Sequence, residues 1–256
     1  MSTQTSDRDM DGRVAIVTGS GSGIGRAVAQ VFVRHGARVI VADINESAAH
    51  ETVEICGQDH ARAVVVDVSK ESDVAAMVAA AVQEFGRLDY AHNNAGITIS
   101  GVPTAEVSLE DWQRVIDVDL TGVFLCMKNE IPAMLDSGGG AIVNTASSLG
   151  LVGLAQQPAY VAAKHGVVGL SKAAAIEYSA LGVRVNSICP GVIRTPLFEG
   201  AAASDPEMLS NIEAAHPIGR VGQPEEIAEA VVWMCSDAAS FLTGHPLAVD
   251  GGYVAA

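Results

Sequence analysis

Four consecutive residues near the start of the chain, Val14-Ala15-Ile16-Val17, are all apolar. A strand with one face in water alternates apolar and polar positions, whereas a strand covered on both faces does not. The run leads straight into Thr18-Gly19-Ser20-Gly21-Ser22-Gly23-Ile24-Gly25 and then a helix-like stretch to Arg34, with Gly36 as its stop signal. A buried strand, a glycine turn and a helix begin a parallel sheet wrapped by helices.

The unit recurs. Strands are expected at Arg38 to Ala42, Val64 to Val66, Leu88 to Asn93, Ala141 to Ala146, Val183 to Ile188 and about Pro246 to Val249. Helices fall between them, including Asp73 to Phe85 and two long ones at about Glu110 to Leu135 and Tyr160 to Leu181. Right-handed crossovers then predict an α/β fold, a Rossmann-type doubly wound parallel sheet of about seven strands in a single domain, with ligands at the carboxyl ends of the strands. We assign 12–256 to that domain, after a flexible N-terminal segment at 1–11. The stretch 195–217, with three prolines and few large apolar residues, reads as a substrate lid.

A net charge of -15 repels a phosphate backbone, so nucleic acid and anionic membranes are disfavoured as partners. No apolar stretch reaches membrane-spanning length, and the polar first dozen residues lack a secretory core, which makes cytoplasmic the default location. The four cysteines lie far apart and the seven histidines show no ligand spacing, so no metal site is expected.

The glycine loop stands where backbone can approach a pyrophosphate at a helix N-terminus. A tight turn alone would also use glycines. Asp43, at the end of the second strand and about 20 residues past Gly19, is where a carboxylate accepts hydrogen bonds from the adenosine ribose and repels the 2′-phosphate of NADP. Ser22 and Ile44 offer that phosphate no cation, so the cofactor expected is NAD.

Tyr160 and Lys164 are four residues apart at the start of a helix and share a face. A cation beside a phenol favours the phenolate, which suits acid/base work near neutral pH. Ser147, at the end of the fifth strand, is placed to hold the substrate oxygen.

Together with Asp67-Val68, Asn93-Asn94-Ala95-Gly96, Pro190-Gly191 and Asp250-Gly251-Gly252, these marks resemble the short-chain dehydrogenase/reductase family from about Asp11 to the C-terminus. The resemblance implies an alcohol/ketone oxidoreductase with Tyr160 as acid/base, Ser147 orienting the reacting oxygen and Lys164 bonding the nicotinamide ribose. It places Gly19, Ser22, Gly23, Ile24 and Gly25 at the pyrophosphate, Asp43 and Ile44 at the adenosine ribose, Asp67 and Val68 at the adenine, Asn94 at the second ribose, and Ile193 and Thr195 at the carboxamide. Leu149 and Gln157 join Ser147 and Tyr160 around the substrate. A homotetramer built through the two long helices and the C-terminal strand region is also implied.

One position departs from the family. Asp119 stands where these enzymes usually carry Asn in a proton relay to the lysine, which predicts reduced or pH-shifted activity. The substrate is expected to be a small neutral alcohol or ketone. The rivals are an NADPH-dependent 3-oxoacyl thioester reductase, which usually has basic residues where Ser22 and Asp43 stand, and an NAD-binding scaffold that has lost catalysis.

Overall fold

The computed structural model describes residues 9–196, 198–199 and 206–256. Its centre is a seven-stranded, all-parallel sheet in the order β3-β2-β1-β4-β5-β6-β7. The strands are β1 (Val14–Thr18), β2 (Arg38–Asp43), β3 (Ala61–Val65), β4 (Tyr90–Asn93), β5 (Gly140–Thr145), β6 (Val183–Pro190) and β7 (Pro246–Val249). The crossover helices are α1 (Gly23–Arg34), α2 (Glu46–Cys56), α3 (Glu71–Phe85), α4 (Leu109–Ile116), α5 (Gly122–Asp136), α6 (Pro158–Tyr178), α7 (Pro206–Ala214) and α8 (Pro224–Cys235). No helix among the described residues is long and apolar enough to cross a membrane.

The unbroken apolar runs divide between two cores. Ala15 and Val17 of β1, with Val39 and Val41 of β2, pack into one cluster with α1 and α8. Val14, Ile16, Ile40 and Ala42 point the other way, against α3 and α5. Chain order reverses between β1 and β4, and this opens a crevice at their carboxyl ends.

Three elements depart from the sequence reading. The helix expected from Glu110 to Leu135 is divided: α4 ends at Ile116, Asp117–Thr121 winds as a wider π turn, and α5 begins at Gly122. Packing on α6 explains it, because Leu120 fills the notch left by Gly166 while Asp119 reaches Lys164. Within 195–217, expected as a loop, α7 starts at Pro206 with Glu207 in its first turn, both favourable at a helix start. Residues 197 and 200–205 of that stretch lie outside the described residues, as do 1–8 of the N-terminal segment. Met10 is 1% exposed and its N–H donates to the His35 carbonyl, so the packed domain reaches back at least that far.

Candidate functional site

Ser20 to Gly25 carry the chain from β1 into α1 beneath the crevice. A Cβ on Gly25 would drive into the Gly19 carbonyl, and one on Gly19 would sit 2.9 Å from Ala95 Cα. Gly19 and Gly23 also have positive φ, of 62° and 52°. Gly21 brings its N–H to 2.8 Å from Asp43 Oδ2, where a Cβ would collide with the carboxylate. The Asn45 N–H holds Oδ1 at 2.9 Å. The glycine loop and the acid at the end of β2 are therefore one unit.

These residues open onto a cleft of about 360 Å³ formed by the ends of β1 to β4. Gly19, Ser22, Gly23 and Ile24 line it from the loop, and Asp43 with Ile44 from β2. Asp67 and Val68 follow from β3, Asn94 from β4, and Thr195 from the far side. Hydrogen bonds from Ser69, then the Lys70 ammonium, hold the Asp67 carboxyl below its usual range. Val68 packs against Gly122, where a Cβ would lie 2.9 Å from its Cγ2. The Asn94 and Ala95 N–H groups donate to Thr18 Oγ1 at 2.9 and 3.1 Å, fastening the loop after β4 to β1.

Four of the residues predicted at the cofactor do not line this cleft: Gly25, Ile193, and Tyr160 with Lys164 on α6. Gly25 supports the loop from behind, and the Ile193 side chain is buried in the core beside α8. The cleft itself is side-chain-poor where glycines stand, with a fixed carboxylate at one end. Those features suit a nucleotide: room at the helix N-terminus for phosphates and an acceptor for ribose hydroxyls.

A second cavity of about 810 Å³ adjoins it, with Thr195 on both walls. Ser147, Leu149, Gln157 and Tyr160 all line it. Ser147 Oγ caps the short turn Ser148–Gly150 by accepting the Leu149 N–H at 3.1 Å. Tyr160 and Lys164 lie one turn apart on α6, with the ammonium 5.4 Å from the phenol ring centroid. Lys164 Nζ donates to the Thr145 carbonyl at 3.1 Å, so the end of β5 positions both Ser147 and the lysine.

The ammonium is buried, with Asp119 Oδ2 at 3.1 Å. Asp119 Oδ1 accepts the Ile97 N–H at 2.8 Å. Burial pulls the lysine's pKa down, but the charges of Asp119 and Tyr160 and the Asp119 hydrogen bond outweigh it and leave the value raised. Gly96 leaves space for this pair, since a Cβ there would stand 3.1 Å from Asp119 Oδ2.

Tyr253 escapes the sequence reading, while further cavity residues fall within its 195–217 stretch without having been named singly. Phe198, Asn211, Ile212, His216 and Tyr253 complete the wall. Tyr253 is placed by Asp250, whose carboxylate accepts the Gly252 and Val254 N–H groups at 3.0 Å. Asp250-Gly251-Gly252 carried that signal, but only the folded turn shows where Tyr253 goes. Among the described residues, no cluster of His, Cys, Asp and Glu could hold a metal ion.

The family model described as enoyl-(acyl carrier protein) reductase matches residues 19–254. The chain is 48% identical to a 2,5-dichloro-2,5-cyclohexadiene-1,4-diol dehydrogenase of Sphingobium indicum, over 96% of this chain and 99% of that one. It is 49% identical to a cyclohexanol dehydrogenase of an Acinetobacter species, over 94% of each chain. A crystal structure of a 3-ketoacyl-(acyl-carrier-protein) reductase from Brucella melitensis, complexed with NADH, superposes with a TM-score of 0.89 at 35% identity, covering 96% of this chain and 99% of that one. With the match running along nearly the whole chain, the protein belongs to the short-chain dehydrogenase/reductase family, nucleotide-dependent oxidoreductases that act on CH–OH groups.

Proposed function

We propose that the protein is an NAD-dependent dehydrogenase/reductase that interconverts a small neutral secondary alcohol and its ketone, with Tyr160 as acid/base. The observation that carries this reading is that Ser147 and Tyr160 line the substrate-sized cavity adjoining the glycine-lined cleft, with the buried Lys164 ammonium beside the Tyr160 ring. Gly19, Ser22, Gly23 and Ile24 would hold the pyrophosphate, Asp43 and Ile44 the adenosine ribose, and Asp67 and Val68 the adenine. Asn94, Lys164 and Thr195 would hold the nicotinamide half, with Ile193 contributing through its backbone. When bound, the nicotinamide ring takes up or gives the hydride.

In oxidation, Tyr160 Oη removes the hydroxyl proton; in reduction it returns a proton to the carbonyl oxygen. Ser147 Oγ already accepts the Leu149 N–H, which leaves its own O–H to donate to the reacting oxygen and hold it in place. Lys164, anchored on Thr145 and Asp119, keeps a positive charge beside the phenol.

Asp43 supports NAD over NADP, because a 2′-phosphate would meet a fixed carboxylate. Arg26, in the first turns of α1 just after the loop, is committed to Glu51, Thr52 and the Gly21 carbonyl. The thioester reductase reading stays behind for the same reason. Exposed Phe124 on α5 and Ile176 on α6 fit a homotetramer through those helices, and four free, buried thiols fit the reducing cytoplasm.

The test is nicotinamide absorbance with NAD and NADP against secondary alcohols, beginning with the cyclic alcohols and diols of the relatives' names. We expect turnover with NAD that disappears in Tyr160→Phe. Binding of NAD without turnover of any alcohol would favour the scaffold reading, and an NADP preference would reverse the role given to Asp43.

A further inference from the structure

One part of the larger cavity's wall comes from α7. Glu207, Asn211 and Ile212 fall at helical spacing on it, Ala215 follows just past its end, and all four line the larger cavity. The side chains nearest the chemistry are hydroxyls, Ser147 and Tyr160. Leu149, Leu154 and Phe198 give the cavity apolar lining. The cavity thus combines the reacting hydroxyls and apolar lining with a carboxylate and an amide from α7.

Charge narrows the choice further. No lysine or arginine lines the cavity among the described residues. The whole stretch 195–217 carries Glu199, Asp205, Glu207 and Glu213 and no Lys or Arg at all. His216 supplies no cation either: its Nε2 accepts the Val192 N–H at 3.1 Å, while Nδ1 faces the Ile212 carbonyl at 2.7 Å as donor. A substrate carboxylate entering here meets a like charge with nothing to pair it, whereas a hydroxyl meets an acceptor.

Resting on the dehydrogenase reading above, we infer that α7 selects neutral cyclic substrates with a second hydroxyl, which donates to Glu207 and is flanked by Asn211, and that it turns away hydroxy acids. Glu207 is on this account a specificity-determining residue that takes no part in proton or hydride transfer.

Three ring alcohols of one size test it with NAD: cyclohexanol, cyclohexane-1,4-diol and 4-hydroxycyclohexanecarboxylate. The parent is expected to favour the diol over cyclohexanol in kcat/KM and to use the hydroxy acid worst. Glu207→Gln should raise KM for the diol more than for cyclohexanol. Glu207→Lys should raise the hydroxy acid's kcat/KM relative to cyclohexanol by about tenfold or more. Glu213→Lys makes the same charge change on α7 at a residue that does not line the cavity, and should leave that ratio where it was. A ratio that moves equally in both lysine variants, or in neither, overturns the inference while the dehydrogenase reading survives. A parent that turns over none of the three overturns both.

Discussion

Lys164 Nζ lies 3.1 Å from Asp119 Oδ2, and the two side chains are sealed from water at 3% and 0% exposure. The pair is neutral overall, so the positive charge beside Tyr160 has its compensating charge on the other side. In Asp119→Asn that compensation goes while the shape stays. We expect the pH–rate profile for alcohol oxidation to move toward lower pH; a profile that superimposes on the parent's would remove Asp119 from the proton chemistry. Asp119→Leu strands a buried ammonium and should cost about 3–5 kcal/mol in urea unfolding.

Glu130 of α5 is fully buried, with Oε2 accepting from Asn93 Nδ2 at 2.9 Å and Oε1 without a partner. Burial pushes its pKa from 4.5 up to about 7, against the pull of the Asn93 hydrogen bond. A carboxyl whose folded pKa is raised binds its proton more tightly in the native state. Its contribution is therefore full below pH 4.5 and is lost as pH rises through about 7. Unfolding free energies at pH 5 and pH 8 should differ more in the parent than in Glu130→Gln, by on the order of 3 kcal/mol at most.

Cofactor choice should follow the end of β2. Asp43→Ser with Ile44→Arg removes the carboxylate and adds a cation at the lip of the cleft. The ratio of kcat/KM for NADP over NAD should rise by more than about tenfold. An unchanged ratio would mean that other residues read the ribose.

Gly21 has its own test, because a methyl group there would stand 2.8 Å from Asp43 Oδ2. Gly21→Ala should raise KM for NAD with much less effect on KM for the alcohol. Equal rises in both would point to a general loosening of the loop.

How much could be read from the chain depended on whether local chemistry had one structural solution. Val14 to Val17 implied two covered faces because nothing polar interrupts them, and β1 indeed feeds both cores. Asp43 was legible from its distance to the glycines, but the Gly21 N–H that fixes its carboxylate shows only in the folded loop. The π turn at Asp117–Thr121 was hidden, since its residues are those of an ordinary helix and its cause, the Gly166 notch and Lys164, lies on another element. The α7 wall was hidden too, because Ala, Ser and Asp around it gave too little apolar periodicity to mark a helix.

That π turn makes the middle of the molecule unusually tolerant of losing a residue, and intolerant in another sense. A wide turn holds one residue more than an α-helical turn needs, so deleting Asp117 or Val118 would let α4 and α5 fuse into one regular helix. The sheet and both cores need not change. Residues outside the turn would keep their places as well, because the extra residue is absorbed within the turn. Inside it, five residues would close to four, so Asp119 and Leu120 could not keep both Lys164 and the Gly166 notch, and a single-codon deletion would carry the same penalty as stranding the ammonium in Asp119→Leu.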